Sequence, residues 1–253
     1  MDKTALDRDM RWVGWLVFAM AIVGSTYIAA SSWSRVKLMK DRTISVTGSA
    51  KRRITSDLIV WDAGISTHGP DQLSAYKQLQ ANVNKTLEYL KGQGLKEDEL
   101  RVSSVSTSEL TETEYVGTGE NRIERQVPKG FQTSQNITVS SNDVSKVERV
   151  SREVTNLIEQ GVPVTSGTPQ YYYTKLGDLK IEMLAEAAKD ARNRGEHIVA
   201  SGSARITKLR GADMGVININ QPNSTATSWE GNNDTSTLEK DIITIVHCTY
   251  EIE

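Results

Sequence analysis

The chain reads as an α+β protein: mostly antiparallel sheet with helices packed on one face, in the order ββαββαβαββ, behind one N-terminal transmembrane helix. Three observations predict this. A run from Trp12 to Ser34 carries no charged residue. Beyond it, segments alternating at period two are interleaved with segments repeating at three and four residues. The amphipathic segments are mostly separated by pairs of alternating ones, a spacing that suits antiparallel pairing better than a parallel sheet.

The apolar run has the length that a hydrocarbon core of about 30 Å requires. Only a helix satisfies its own backbone there. Trp12, Trp15 and Trp33 sit near its ends, where amphipathic rings favour the interface, and Gly24 lies midway. Ala29-Ala30-Ser31 resembles a signal-peptidase site, but the stretch is longer than a usual signal core, which favours an uncleaved anchor. Ala21, Ser25 and Ala29 recur at four-residue spacing, a small-residue face that permits close helix contact. The expected organisation is a tail at 1–11, an anchor at 12–34, a basic link at 35–42 and a folded domain at 43–253. Three Lys/Arg precede the run and seven follow it within about twenty residues, which by the positive-inside bias argues for a cytoplasmic domain.

Thr43 to Gly48 alternates as a strand, and Ile54 to Thr67 as a second, with Ile59, Trp61, Ala63 and Ile65 on one face. Asp71 to Lys91 is helical, with Tyr76, Leu79, Val83, Leu87 and Leu90 as its stripe and Gly92 and Gly94 as its stop. Leu100 to Thr111 is a strand. The acidic stretch from Glu112 to Lys129 reads as a long hairpin connection, and Phe131 to Ser140 alternates again. Asp143 to Gln160 is a second helix, capped by Asn142 or Asp143. Val164 to Lys175 is a strand containing Tyr171, Tyr172 and Tyr173. A third helix spans Asp178 to Ala200, and Ile206 to Asn220 has strand character. Gln221 to Thr237 is a polar loop holding one aromatic residue, Trp229. The closing strand places Ile242, Thr244, Val246, Cys248, Tyr250 and Ile252 on one face.

Composition excludes several classes. With 30 Lys+Arg against 32 Asp+Glu the net charge is −2, so the chain lacks the basic excess of a nucleic-acid binder. One cysteine rules out an internal disulfide framework and a cysteine zinc cluster. No phosphate-binding loop, zinc-protease helix or nucleophile elbow is present. His247 and Cys248 are adjacent, but neighbours on a strand point to opposite faces. Glu182, Glu186 and Asp190 line one side of the third helix ahead of His197; basic residues among them make a solvated face the simpler reading. His68, before Gly69-Pro70, is expected in a turn. Accordingly no catalytic residue, metal or cofactor is expected. The contact residues singled out are Ala21, Ser25, Ala29, Tyr172 and Trp229.

Several stretches resemble the SIMPL domain family: "ISVTGSAKRRITSD" (44–57), "LKGQGLKEDELRVSSVST" (90–107), "GFQTSQNITVSSNDVSKVERV" (130–150), "LAEAAKDARNRGEHIVASGSARITKL" (184–209) and the closing "ITIVHCTYEI". Gly195 departs from the pattern by standing where an alanine is usual. The resemblance implies a bacterial envelope protein, with the domain periplasmic and the anchor in the inner membrane. It further implies ring- or channel-like homo-oligomers, an association with oxidative-stress resistance and no established catalytic residues. The partners expected are therefore further copies of the chain and the lipid bilayer. Two other readings remain: a ligand-binding or enzymatic ectodomain with a cleft near Tyr171 and His197, and a membrane-surface binder acting through the basic segment 35–53.

Overall fold

The computed structural model describes residues 3–40, 42–116 and 122–253, with side chains for 15–34, 42–115 and 122–253. The chain divides into two compact units, one formed by Met1–Ala50, Glu182–Gly215 and Thr244–Glu253, the other by Lys51–Ile181 and Val216–Ile243.

Helix α1 (Lys3–Lys40) does not stop at the end of the apolar run but continues through the basic residues that follow. Within it, Trp15–Ser34 is long and apolar enough to cross a membrane. The larger unit is built on a six-stranded antiparallel sheet. Its strands are β2 (Leu58–Gly69), β3 (Leu100–Val102), β4 (Ser106–Val116), β5 (Ile123–Ser141), β6 (Val164–Ser166) and β7 (Gln170–Tyr172). The order is β3-β5-β2-β6, with β4 on β5 and β7 on β2. Helices α2 (Gln72–Gly92) and α3 (Val144–Glu153) share one core with it. Ile59, Trp61, Ala63 and Ile65 from β2 meet Ile137 and Val139 from β5, and Leu79, Val83 and Leu90 from α2 close over them. Of the expected stripe on α2, Tyr76 is exposed instead; Ala75 and Thr86 are buried. Asp71 caps α2 by accepting the Ser74 N–H at 2.9 Å, and Asp143 caps α3 by accepting that of Lys146 at 3.2 Å. The expected second helix is α-helical only to Glu153; a 3-10 segment then carries it to Gln160.

The second sheet contains β1 (Thr43–Thr55), β8 (Ile206–Met214), β9 (Asn218–Asn220) and β10 (Glu239–Ile252), in the order β1-β10-β8, with β9 on β10. In the smaller unit α4 (Leu176–Ala200) supplies Met183, Ala187, Ala191 and Val199 at four- and eight-residue steps, all buried. The expected β10 face is buried from Ile242 through Tyr250. Contact between α4 and β1 is as close as backbone allows. A Cβ on Gly48 would lie 2.1 Å from the Ala187 carbonyl oxygen and 2.3 Å from the Ala191 nitrogen. Gly195 has its own reason: a Cβ there would meet the Ile206 Cδ1 at 2.6 Å.

The α+β class with antiparallel sheets is what the sequence predicts, but the strand boundaries differ. The first strand runs on to Thr55 and takes in Lys51–Arg53; the corner falls at Ser56-Asp57. Three expected strands are each broken in two: at Ser103–Val105, at Gly167–Pro169, and at Gly215–Ile217. Most of the stretch expected as a loop at 112–129 is a ladder, with Glu112 opposite Val127 and Val116 opposite Ile123. Its side chains are largely exposed on both faces, so no apolar alternation marks it. Residues 117–121 of that stretch, with Gly117 and Gly119, lie outside the described residues.

Candidate functional site: an exposed apolar helix and a stapled polar loop

Two features of the described chain remain without internal partners in proportion to their apolar surface. The first is α1. From Trp15 to Ser34 none of its residues is buried, and Trp15 and Trp33 are 69% and 76% exposed. Ala21, Ser25 and Ala29 are all exposed on this helix, and nothing lies within 4 Å of the space a side chain on Gly24 would fill. Ser25 donates its hydroxyl to the Ile22 carbonyl at 2.9 Å, and Thr26 does the same at 2.8 Å. These back-bonds hide the hydroxyls from an apolar surrounding. Trp12 lies in the same helix, but its side chain is outside the described residues.

The second feature is the loop between β9 and β10. Trp229 sits on it at 97% exposure, the most exposed large apolar side chain in the described chain. The loop is nevertheless tied down along its length. Asn218, buried at its root, accepts the backbone N–H groups of Ser228 at 2.9 Å and Asn232 at 3.1 Å. Asn220 donates to the Ala226 carbonyl at 2.6 Å and accepts from the Asn232 amide at 3.0 Å. Farther along, Lys240 is 2% exposed and donates to the Asp234 carbonyl oxygen, with the Asp234 carboxylate at 3.3 Å. Burial raises the Asp234 carboxyl, but bonds from Thr237, Ser236 and Lys240 outweigh it and hold the group well below the usual carboxylate range. Burial likewise pushes the Lys240 ammonium down, against the pull of Asp234.

At the β1–β10 step, Asp241 is 1% exposed and collects several donors. Arg53 reaches it through Nε at 2.9 Å, Lys51 through Nζ at 2.9 Å, and the Asn223 N–H at 2.8 Å. The Arg53 hydrogen bond is the largest cause holding that carboxyl below its ordinary value, against burial. These anchors were missed by sequence reasoning. The available signal is the triplet Asn218-Ile219-Asn220, two amides on one strand face entering a polar loop.

The remaining sequence candidates are dispersed. Cys248 is buried, whereas His247 is exposed and its Nδ1 lies 2.8 Å from the Thr47 hydroxyl. The two point to opposite sides of β10, as the pleat requires. Asp190 is taken by the Ser49 N–H at 2.9 Å and by Arg194 at 2.8 Å, and Glu182 and Glu186 are engaged as well. His197 is exposed on α4. Contrary to expectation, His68 belongs to β2, paired with Gln132, rather than to a turn. Tyr172 pairs with Leu58 and gives its hydroxyl to Gln170 at 2.6 Å. Tyr171 donates to Glu148 at 2.6 Å; burial first, then Glu148, raises its phenol to about 12. Tyr171 and His197 belong to different units. Of the basic segment, Lys51 and Arg53 are held by Asp241, and the side chains of 35–41 lie outside the described residues. Among the described residues no group of three His, Cys, Asp or Glu side chains is placed to hold a metal ion.

Comparison with known families matches residues 44–240 to SIMPL, whose description is a protein of unknown function (DUF541). No curated protein matches the chain.

Proposed function

Since the chain belongs to the SIMPL family, we propose that it is a membrane-anchored, non-enzymatic envelope protein. Its SIMPL domain assembles with further copies into a ring-, cage- or channel-like homo-oligomer that protects the envelope, including against oxidative stress. The observation that carries this reading is α1. Twenty consecutive residues from Trp15 to Ser34 expose their side chains all round, and only lipid or neighbouring helices relieve that exposure.

The assembly follows from the anchor. Helices confined to one bilayer meet often, and the Ala21, Ser25 and Ala29 face lets two backbones approach closely. Identical patches are most simply satisfied by closed cyclic symmetry. The anchor lies in the inner membrane and the domain faces the periplasm, although the Lys/Arg bias points the other way. Protease protection in spheroplasts reads the orientation directly. No residue is proposed to act on a substrate: Asp71 and Asp143 cap helices, Asp190, Asp234 and Asp241 hold ion pairs, and Tyr171 and His197 lie in different units.

The deciding experiment is the mass of full-length protein extracted in detergent, by size-exclusion with light scattering, followed by imaging of the particle. A many-chain particle with one symmetry axis is expected. A monodisperse single chain overturns the assembly, and release from membranes by alkaline carbonate overturns the anchor.

A further inference from the structure

The loop that carries Trp229 is also one wall of a pocket. Its volume is about 310 Å³, and it is lined by Asn220, Gln221, Ser224, Asn232, Asn233 and Asp234 over the apolar floor of Ile219. Trp229 does not line the pocket itself but lies in the turn closed by the Gly231 N–H on the Ser228 carbonyl at 3.2 Å, and the lining residues Asn232 and Asn233 follow that turn directly. We propose that this loop is a saccharide-binding site, in which the Trp229 indole stacks on the apolar face of a neutral sugar ring and the amides take its hydroxyls.

The class of ligand follows from what surrounds the indole. A protein partner that covered Trp229 would also desolvate a loop in which eleven of the seventeen residues from Gln221 to Thr237 are Asn, Ser, Thr or Gln, leaving polar groups unpaired at a cost. A sugar avoids that cost, because each hydroxyl both donates and accepts and so matches an amide, which carries two donors and an acceptor. The Asn233 amide makes no hydrogen bond within the described chain and is exposed, so its valences are free. Gln221 uses only its nitrogen, on Ser236 at 3.1 Å. A pyranose also presents a face of C–H groups, which the electron-rich face of an indole attracts.

Charge narrows the class to neutral ligands. The one carboxylate in the lining, Asp234, is balanced by Lys240, and no cation lines the pocket to hold a phosphate or carboxylate. The volume is at the lower end of small-ligand sites, which run from about 300 to 1,000 Å³, and suits one or two rings of a longer chain. Preorganisation completes the argument. Loops longer than about 12–15 residues without structure of their own are uncommon unless functional or disordered. The backbone of this one is fixed by Asn218, Asn220, Asp234 and Asp241, so binding has to order the Trp229 side chain but not the loop that carries it.

The proposal stands whether or not the chain assembles. The test uses full-length protein in a detergent without a sugar headgroup. Saturation-transfer NMR is recorded with chitotetraose and maltotetraose, and co-sedimentation with purified cell-wall glycan. Transfer to ring C–H protons is expected from at least one probe. Trp229→Ala should weaken binding at least about tenfold, Trp229→Phe should retain it within about threefold, and Asn233→Ala should cost about three- to fivefold. Response to the soluble tetrasaccharides assigns a free oligosaccharide; co-sedimentation alone assigns a polymeric strand. Absence of both at about 10 mM probe or its equivalent overturns the site. So does binding that Trp229→Ala leaves unchanged, or a Trp229→Ala variant that alters only particle mass and so marks a contact between copies.

Discussion

Arg53 grips Asp241 side-on across the β1–β10 step, its Nε 2.9 Å from Oδ1 and its Nη2 3.2 Å from Oδ2. The same carboxylate accepts the Asn223 N–H, so one buried group joins a strand pair to the first residues of the Trp229 loop.

Asp241→Asn keeps the shape of the side chain and removes its charge. The loss is expected to cost roughly 1–3 kcal/mol, because hydrogen bonds to a charged, buried acceptor are replaced by weaker ones or by a mismatch. Urea unfolding followed by tryptophan fluorescence measures it, and an unchanged midpoint would show that the cluster is ornamental.

Acid should destabilise the fold through the same groups. The carboxyls of Asp241 and Asp234 are held below their ordinary range in the folded chain. A depressed folded value gives stability that is complete above the unfolded value, near 3.9, and lost as pH falls through that range towards the folded one. The urea midpoint is therefore expected to fall between about pH 5 and pH 2, with a shallower fall in Asp241→Asn. A midpoint flat across that window contradicts the assignment.

Two glycines at the packing face of α4, Gly48 on β1 and Gly195 within the helix, should behave differently. Gly48→Ala drives a methyl into helix backbone and is expected to cost about 1–3 kcal/mol, because only a shift of the whole helix relieves it. Gly195→Ala meets mainly the mobile end of Ile206, and the better helix propensity of alanine, about 1 kcal/mol, offsets the crowding. Thermal melting of the pair reads the contrast; equal losses would mean that α4 packs less closely than described.

On the apolar helix α1, Ala21→Leu, Ser25→Leu and Ala29→Leu keep the segment apolar and enlarge one face. Carbonate resistance should be unchanged, while the detergent-extracted particle should lose mass. Retention of full mass in the triple variant would place the contacts between copies elsewhere.

The parts legible in the sequence are those where burial is one-sided. Ile59, Trp61, Ala63 and Ile65 declare a strand face, and Ile242 to Tyr250 declare another, because every second residue enters a core. The hairpin at 112–129 is illegible for the opposite reason: exposure on both faces leaves no period to read. The corner at Ser56-Asp57 lies between two alternating runs, and alternation does not mark where a chain turns. For the loop, Trp229 stands out as a lone aromatic among polar residues. Its staples do not, since Asn218 acts on Ser228 and Asn232, ten and fourteen positions away, and nothing in a local window links them. Lys240, 2% exposed at the start of β10, offers no compositional sign of burial at all.

The sheet order β1-β10-β8 also constrains biogenesis. Thr43–Thr55 emerges from the ribosome just behind the apolar helix, yet its hydrogen-bonding neighbour, Glu239–Ile252, is synthesised after all the other strands named above. The Ile252 N–H even closes back onto the Arg42 carbonyl at 2.9 Å, beside the exit of that helix. The nascent sheet therefore stays half-made, with β1 lacking its neighbour and open to chaperones and proteases, until translation has delivered β10.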